Sequence, residues 1–143
     1  MFDVIRAYAM AKECHEKQKD KAGKKYIKHP IYVARHVKGR KAKVVALLHD
    51  VVEDSYMSVN VIREAFGDDV ANAVELLTHD KKKSYMEYIL AIKTNTLARK
   101  VKIQDLIHNI NLCRLKRVYL DDAKRTAKYA WALEELLKDE PRC

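Results

Sequence analysis

Apolar residues recur at helical spacing along almost the whole chain, and polar or glycine-bearing stretches separate the runs. Residues 2–16 place Phe2, Ile5, Tyr8 and Ala9 on one stripe, and the polar segment Lys17–Lys28 follows. Pro30 suits the opening of a second helix, because its missing N–H would have had no partner there. That helix runs to about Lys38, with Gly39 as its stop. Residues 41–53, KAKVVALLHDVVE, predict a third helix that is apolar nearly all round and therefore buried. Ser58 caps a short helix ending at Gly67, and Val70, Ala73, Val74 and Leu77 carry the pattern on over 68–77. After a loop at 78–83 comes a helix with Tyr85, Tyr88, Ile89 and Ile92, the tyrosines read as core. Thr96 then caps a long helix to about Lys116. Asp121 or Asp122 caps the last one, to about Lys138, and Glu140–Cys143 is left as a frayed tail.

The expectation is thus a compact all-α fold of about seven or eight helices in a single domain over residues 1–143. With 3 Gly and 2 Pro, the chain lacks the turn residues that a many-hairpin sandwich or barrel needs. Hydrophobic residues at 48% exclude a disordered chain. No apolar run approaches the roughly 18 residues of a membrane span, and the N-terminus has no signal-peptide pattern, so a cytoplasmic protein is expected. The net charge of +9 draws anions: a phosphorylated small molecule, nucleic acid or an anionic surface. Cys14, Cys113 and Cys143 form no CxxC pair and read as free thiols.

Charged groups inside apolar runs carry the chemical information. His49 and Asp50 interrupt the third helix between Leu48 and Val51, where a carboxylate is costly unless it is paired or bound to a cation. Glu53 lies one turn on and borders the same patch. In the long helix, Asp105 fills a gap in the stripe formed by Leu97, Val101, His108, Leu112 and Leu115. A cation shared by His49, Asp50 and Asp105 explains both anomalies, with His29 as the natural fourth ligand. Two imidazoles and two carboxylates suit Mn²⁺, Fe²⁺, Zn²⁺ or another borderline metal and suit Ca²⁺ poorly. A second His-Asp pair, His79-Asp80, has no apolar run around it and reads as a solvated loop or the rim of a pocket.

Four blocks of sequence resemble the HD phosphohydrolase superfamily, and within it the RelA/SpoT-type alarmone hydrolases. They are YIKHPIYVA (Tyr26–Ala34), ALLHDVVEDS (Ala46–Ser55), FGDDV (Phe66–Val70) and VKIQDLIHN (Val101–Asn109), in the family's order. The resemblance implies removal of the 3′-pyrophosphate of (p)ppGpp to give GDP or GTP and pyrophosphate. It implies Mn²⁺ as the metal, with Fe²⁺, Zn²⁺, Co²⁺ or Ni²⁺ as substitutes, on His29, His49, Asp50 and Asp105. It makes Glu53 and Asp54 the acidic pair that handles the attacking water, and lays Asn109 against the nucleotide. The chain is too short for the synthetase domain of the larger members and resembles the small, stand-alone hydrolases.

The expected partner is an anionic nucleotide, with no membrane and no nucleic acid. Lys21 and Lys25 are the candidate substrate contacts among the lysines of residues 17–28, with Tyr26 beside them as a ring able to stack on a base. The family's arginine before the glycine-bearing turn is Asp20 here, and a carboxylate cannot replace a guanidinium stacked on a base. A nearby alternative keeps the metal centre but acts on (p)ppApp or on the 2′-phosphate of NADPH. A basic nucleic-acid-binding module accounts for the charge but not for four inward metal-type side chains.

Overall fold

The computed structural model describes residues 1–138, so Cys143 and the predicted frayed tail lie outside the described residues. The described chain is all helix: α1 Phe2–Cys14, α2 Lys28–His36, α3 Arg40–Leu48, α4 Val51–Asp54, α5 Val59–Phe66, α6 Asp68–Leu77, α7 Tyr85–Lys93, α8 Thr96–Ile110 and α9 Leu120–Leu137, with a 3₁₀ turn at Leu112–Arg114. Between α1 and α2 the chain makes a small hairpin, in which Lys19 bridges antiparallel to Lys25. No helix among the described residues is long and apolar enough to cross a membrane.

α3 forms the centre. It packs on α1, α2, α6 and α8, and Val44, Val45, Ala46, Leu47 and Leu48 are all buried. α8 packs on it and on α9, and Ala98, Val101, Leu106, Ala132 and Leu136 are all buried in the same core. Tyr88 is core, as expected, and its hydroxyl donates to the Leu77 carbonyl at 2.7 Å; Tyr85 and Trp131 are half-buried against the same core.

Several boundaries differ from the sequence expectation, each for a local reason. The helix predicted over 41–53 breaks at His49-Asp50, leaving α4 as a single turn. His49 Nδ1–H donates to the Ala46 carbonyl at 2.6 Å, the acceptor that the Asp50 amide would use in an unbroken helix. Pro30 is the third residue of α2 rather than the first, still within the turn whose amides lack helical partners. The cap of α8 is Asn95, whose side chain accepts from the Ala98 amide at 3.0 Å, and Thr96 is already helical. α8 stops at Ile110 rather than Lys116, because Asn111 leaves the helical region and its side chain accepts from the Cys113 amide at 3.1 Å. Leu112 and Leu115 therefore fall outside the helical stripe. Asp122 acts at the start of α9 from inside the first turn, accepting the Tyr119 amide at 2.8 Å. Gly67 at φ +90° lets α5 end and α6 begin with no linker, a conformation that side chains with Cβ resist.

The capping assignment is testable. Asn95→Ala is expected to lower stability by about 1 kcal/mol in thermal or urea unfolding, whereas Thr96→Ala changes it by less than about 0.5 kcal/mol. The reverse order would return the cap to Thr96.

Candidate metal centre and active-site cleft

Three separate elements converge at the break in the central helix. α2 brings His29, the α3–α4 junction brings His49 and Asp50, and α8 brings Asp105. His29, His49 and Asp105 are buried, and one ligand atom from each lies within 4.8 Å of the others. The His29 Nε2 to Asp105 Oδ1 distance is 2.8 Å, and His49 Nε2 lies 3.6 Å from the same oxygen. Asp50 Oδ2 lies 3.1 Å from His49 Nε2 and 3.8 Å from His29 Nε2, so it faces the same point.

The donor set fits a divalent cation. Because His49 Nδ1 donates to Ala46, its Nε2 carries the lone pair. That nitrogen is buried, has no hydrogen-bond partner, and points at two carboxylates. Burial works against a charged His49 ring, yet the Asp50 and Asp105 carboxylates together outweigh it and raise the ring's pKa well above the usual value. The same conflict acts on Asp50: burial raises its pKa, while His49 pulls it down to about 2. The site thus favours positive charge between its carboxylates, which a metal ion supplies.

A supporting layer fixes these groups. Lys102, one turn before Asp105, donates to its Oδ2 at 2.8 Å, and Asn109 donates to Oδ1 at 2.9 Å. Burial alone would raise the Asp105 pKa, but the Lys102 ammonium together with His29 and His49 holds it well below the carboxylate range. Burial would likewise lower Lys102, and the Asp105 carboxylate raises it well above the usual value. His29 Nδ1 lies 2.7 Å from His108 Nδ1. Burial, followed by the charge of Arg114, lowers His108 to about 4, so its neutral ring can accept from His29 and leave His29 Nε2 as the ligand atom. The Tyr26 hydroxyl donates to Asp50, and its ring packs against His15 and His29 at 4.9 and 5.7 Å.

A cleft of about 380 Å³ opens on this centre. His29, Asp54, Lys21, Tyr26 and Asn109 line it, so most of the sequence-predicted contacts share one wall system. Lys25 is on the same hairpin but does not line the cleft. Glu53 turns the other way, accepting the His79 amide at the start of the 79–83 loop. Burial raises the pKa of both Glu53 and Asp54, and the latter also accepts from Gln18 at 3.0 Å. His79 is half-buried and stacks on Tyr88 at 4.5 Å, so the second His-Asp pair is rim rather than ligand. Asp20 caps its own hairpin, accepting the Lys24 amide at 2.9 Å.

Sequence reasoning missed Lys102, Arg114, Arg125 and Tyr129. Lys102 carried a signal, a cation three residues before a buried carboxylate on the same helix face. The other three line the cleft from the 3₁₀ turn and α9, and no local pattern marked them.

Comparison with known proteins gives the family. Residues 7–129 match the HD domain family. The chain is 33% identical over 120 residues to the guanosine-3′,5′-bis(diphosphate) 3′-pyrophosphohydrolase of Aquifex aeolicus, covering 76% of this chain but 17% of that protein. A Synechocystis relative is likewise matched over 16% of its length, so the chain spans only about a sixth of these long relatives. The guanosine-3′,5′-bis(diphosphate) 3′-pyrophosphohydrolase MESH1 of Xenopus tropicalis is 34% identical, with 90% of this chain and 74% of that protein covered. A solved metazoan orthologue of SpoT shares the fold, with a TM-score of 0.79, 22% identity, and coverage of 97% of this chain and 87% of that one. With its buried histidine–aspartate centre and a family match over most of its length, the chain belongs to the HD domain family, in the RelA/SpoT-type group that includes the small MESH1 protein.

Proposed function

We propose that this protein is a metal-dependent phosphohydrolase that removes the 3′-diphosphate of (p)ppGpp, releasing pyrophosphate and GDP or GTP, with Mn²⁺ as its working ion. The observation that carries the reading is the buried His29–His49–Asp105 cluster, with Asp50 beside it, at the head of a basic cleft. His29, His49, Asp50 and Asp105 hold the ion in this reading. A divalent ion, when bound, neutralises phosphoryl charge and lowers the pKa of water.

The side chains divide the remaining work. Water attacks the phosphorus bonded to the ribose 3′ oxygen, that P–O bond breaks, and the 3′ oxygen takes up a proton. Asp54, on the cleft wall, orients the water and receives its proton, and Glu53, on the same turn and held by the His79 amide, adds its charge from beside it. Their pKa values, raised by burial, bring them closer to neutral pH, where a general base works best. Lys21 offers charge to the diphosphate, and Asn109 offers a donor or acceptor to the sugar. Tyr26 holds Asp50 in place and closes the floor of the cleft. Lys25, off the cleft wall, adds to the field that draws the anion in.

One observation favours a second reading with the same centre. Asp20 spends its carboxylate on the hairpin, and the first turn of the cleft offers no guanidinium to a guanine base. The centre would then act on ppApp or on the NADPH 2′-phosphate. A Mn²⁺ assay with ppGpp, pppGpp, ppApp and NADPH side by side decides between them. Pyrophosphate from the guanosine substrates is the expected result. Turnover of adenine substrates alone would transfer the assignment to the second reading.

Two variants test the roles. Asp105→Ala is expected to abolish both bound metal, read by elemental analysis, and turnover, while circular dichroism stays helical. Lys102→Met combined with Asp105→Ala removes the unpaired buried ammonium and keeps the test valid if the single variant unfolds. Retained turnover in Mn²⁺ would overturn the metal assignment. Asp54→Asn is expected to keep the metal and slow kcat by roughly 10²-fold or more, and Glu53→Gln to slow it less. An Asp54→Asn rate equal to the parent's would move the base role elsewhere.

A further inference from the structure

Arg114 lies on the walls of two cavities at once. One is the cleft described above. The other, of about 500 Å³, runs along the outer side of α2, and the two share Asp20, His29 and Arg114. The second cavity presents Lys24, Lys28, Arg35 and Arg114 against a single carboxylate, Asp20. Such an excess of cations in a concave wall selects an anion.

Arg114 has donors to spare. Its Nε is buried without a hydrogen-bond partner among the described residues. Its ion pair with Asp20 is long, 3.9 Å from Nη1 to Oδ2, beyond hydrogen-bond distance. Asp20 itself is fixed from the far side by the Lys24 amide. A planar guanidinium with free donors, steadied by one carboxylate, matches the oxygens of a phosphate group. The lysines and Arg35 around it add charge with less direction.

The proposed substrate bears phosphate groups at both ends of its ribose. We infer that the second cavity holds the 5′-phosphate group while the 3′-diphosphate occupies the metal cleft, with Arg114 as the specificity-determining residue for the 5′ end. This inference rests on the hydrolase reading above. It makes the junction at His29 and Arg114 the place where the ribose crosses from one cavity to the other.

The test compares guanosine 3′,5′-bis(diphosphate) with guanosine 3′-diphosphate, which lacks the 5′ group. With Arg114→Ala, the ratio of KM for the bis(diphosphate) to KM for the 3′-diphosphate is expected to rise roughly tenfold. Arg114→Lys keeps the charge, loses the fork and falls between. Arg35→Gln shows the same selectivity with a smaller rise. Equal rises for both nucleotides, or no rise for either, would overturn the proposal. Calorimetric titration of the two nucleotides in EDTA reads binding without turnover. If the unaltered protein with Mn²⁺ releases pyrophosphate from neither nucleotide, the hydrolase reading falls. The titration then decides Arg114 alone: a 5′-dependent affinity lost in Arg114→Ala supports it, and affinities unchanged or absent overturn it.

Discussion

A carboxylate buried in a helical core organises this molecule. Asp105 is almost wholly withdrawn from water, and its two oxygens are approached by Lys102, Asn109, His29 and His49. An unpaired charge at that depth would cost several kcal/mol, so the helices that bring its partners cannot slide independently. α8 supplies the carboxylate and two of its donors, α2 supplies one ring, and the end of α3 supplies the other. Packing of these three helices and assembly of the centre are the same event. The apolar residues Val44, Leu48, Val101 and Leu106 provide the driving force, and the polar groups select the register.

The break in the central helix serves that centre. A continuous helix over 41–53 would send His49 and Asp50 about 100° apart. By taking the Ala46 carbonyl, His49 ends α3, commits its Nδ1 proton and turns Nε2 toward Asp105 and Asp50. One hydrogen bond thus sets both the backbone path and the ring tautomer. His108 does a related task for His29, and its lowered pKa keeps it an acceptor. The single turn of α4 then presents Glu53 to the 79–83 loop and Asp54 to the cleft.

The cleft walls are built from less regular pieces: the hairpin after α1, the 3₁₀ turn after α8 and the first turns of α9. Asp20 joins two of them, capping the hairpin and facing Arg114 across the gap. Asp20 is thus a structural tie with a cation on the opposite wall. The guanidinium groups of the cleft come from Arg114 of the 3₁₀ turn and Arg125 of α9.

By itself, the sequence determined the all-α class, most of the helix spans and the inward polar residues. Each of these follows from spacing along the chain: a 3.6-residue period marks helices, and a His or Asp inside an apolar stripe marks a buried charge. Helix ends were less legible, because caps such as Asn95 and the stop at Asn111 depend on one side chain finding one amide. Only the tertiary structure decided that His108 backs His29, and that Lys25 stays off the cleft while Arg114 and Arg125 line it. Those relations join residues far apart in the chain or on irregular segments. No period in the sequence encodes them, and the packing of α2, α3, α8 and α9 sets their distances.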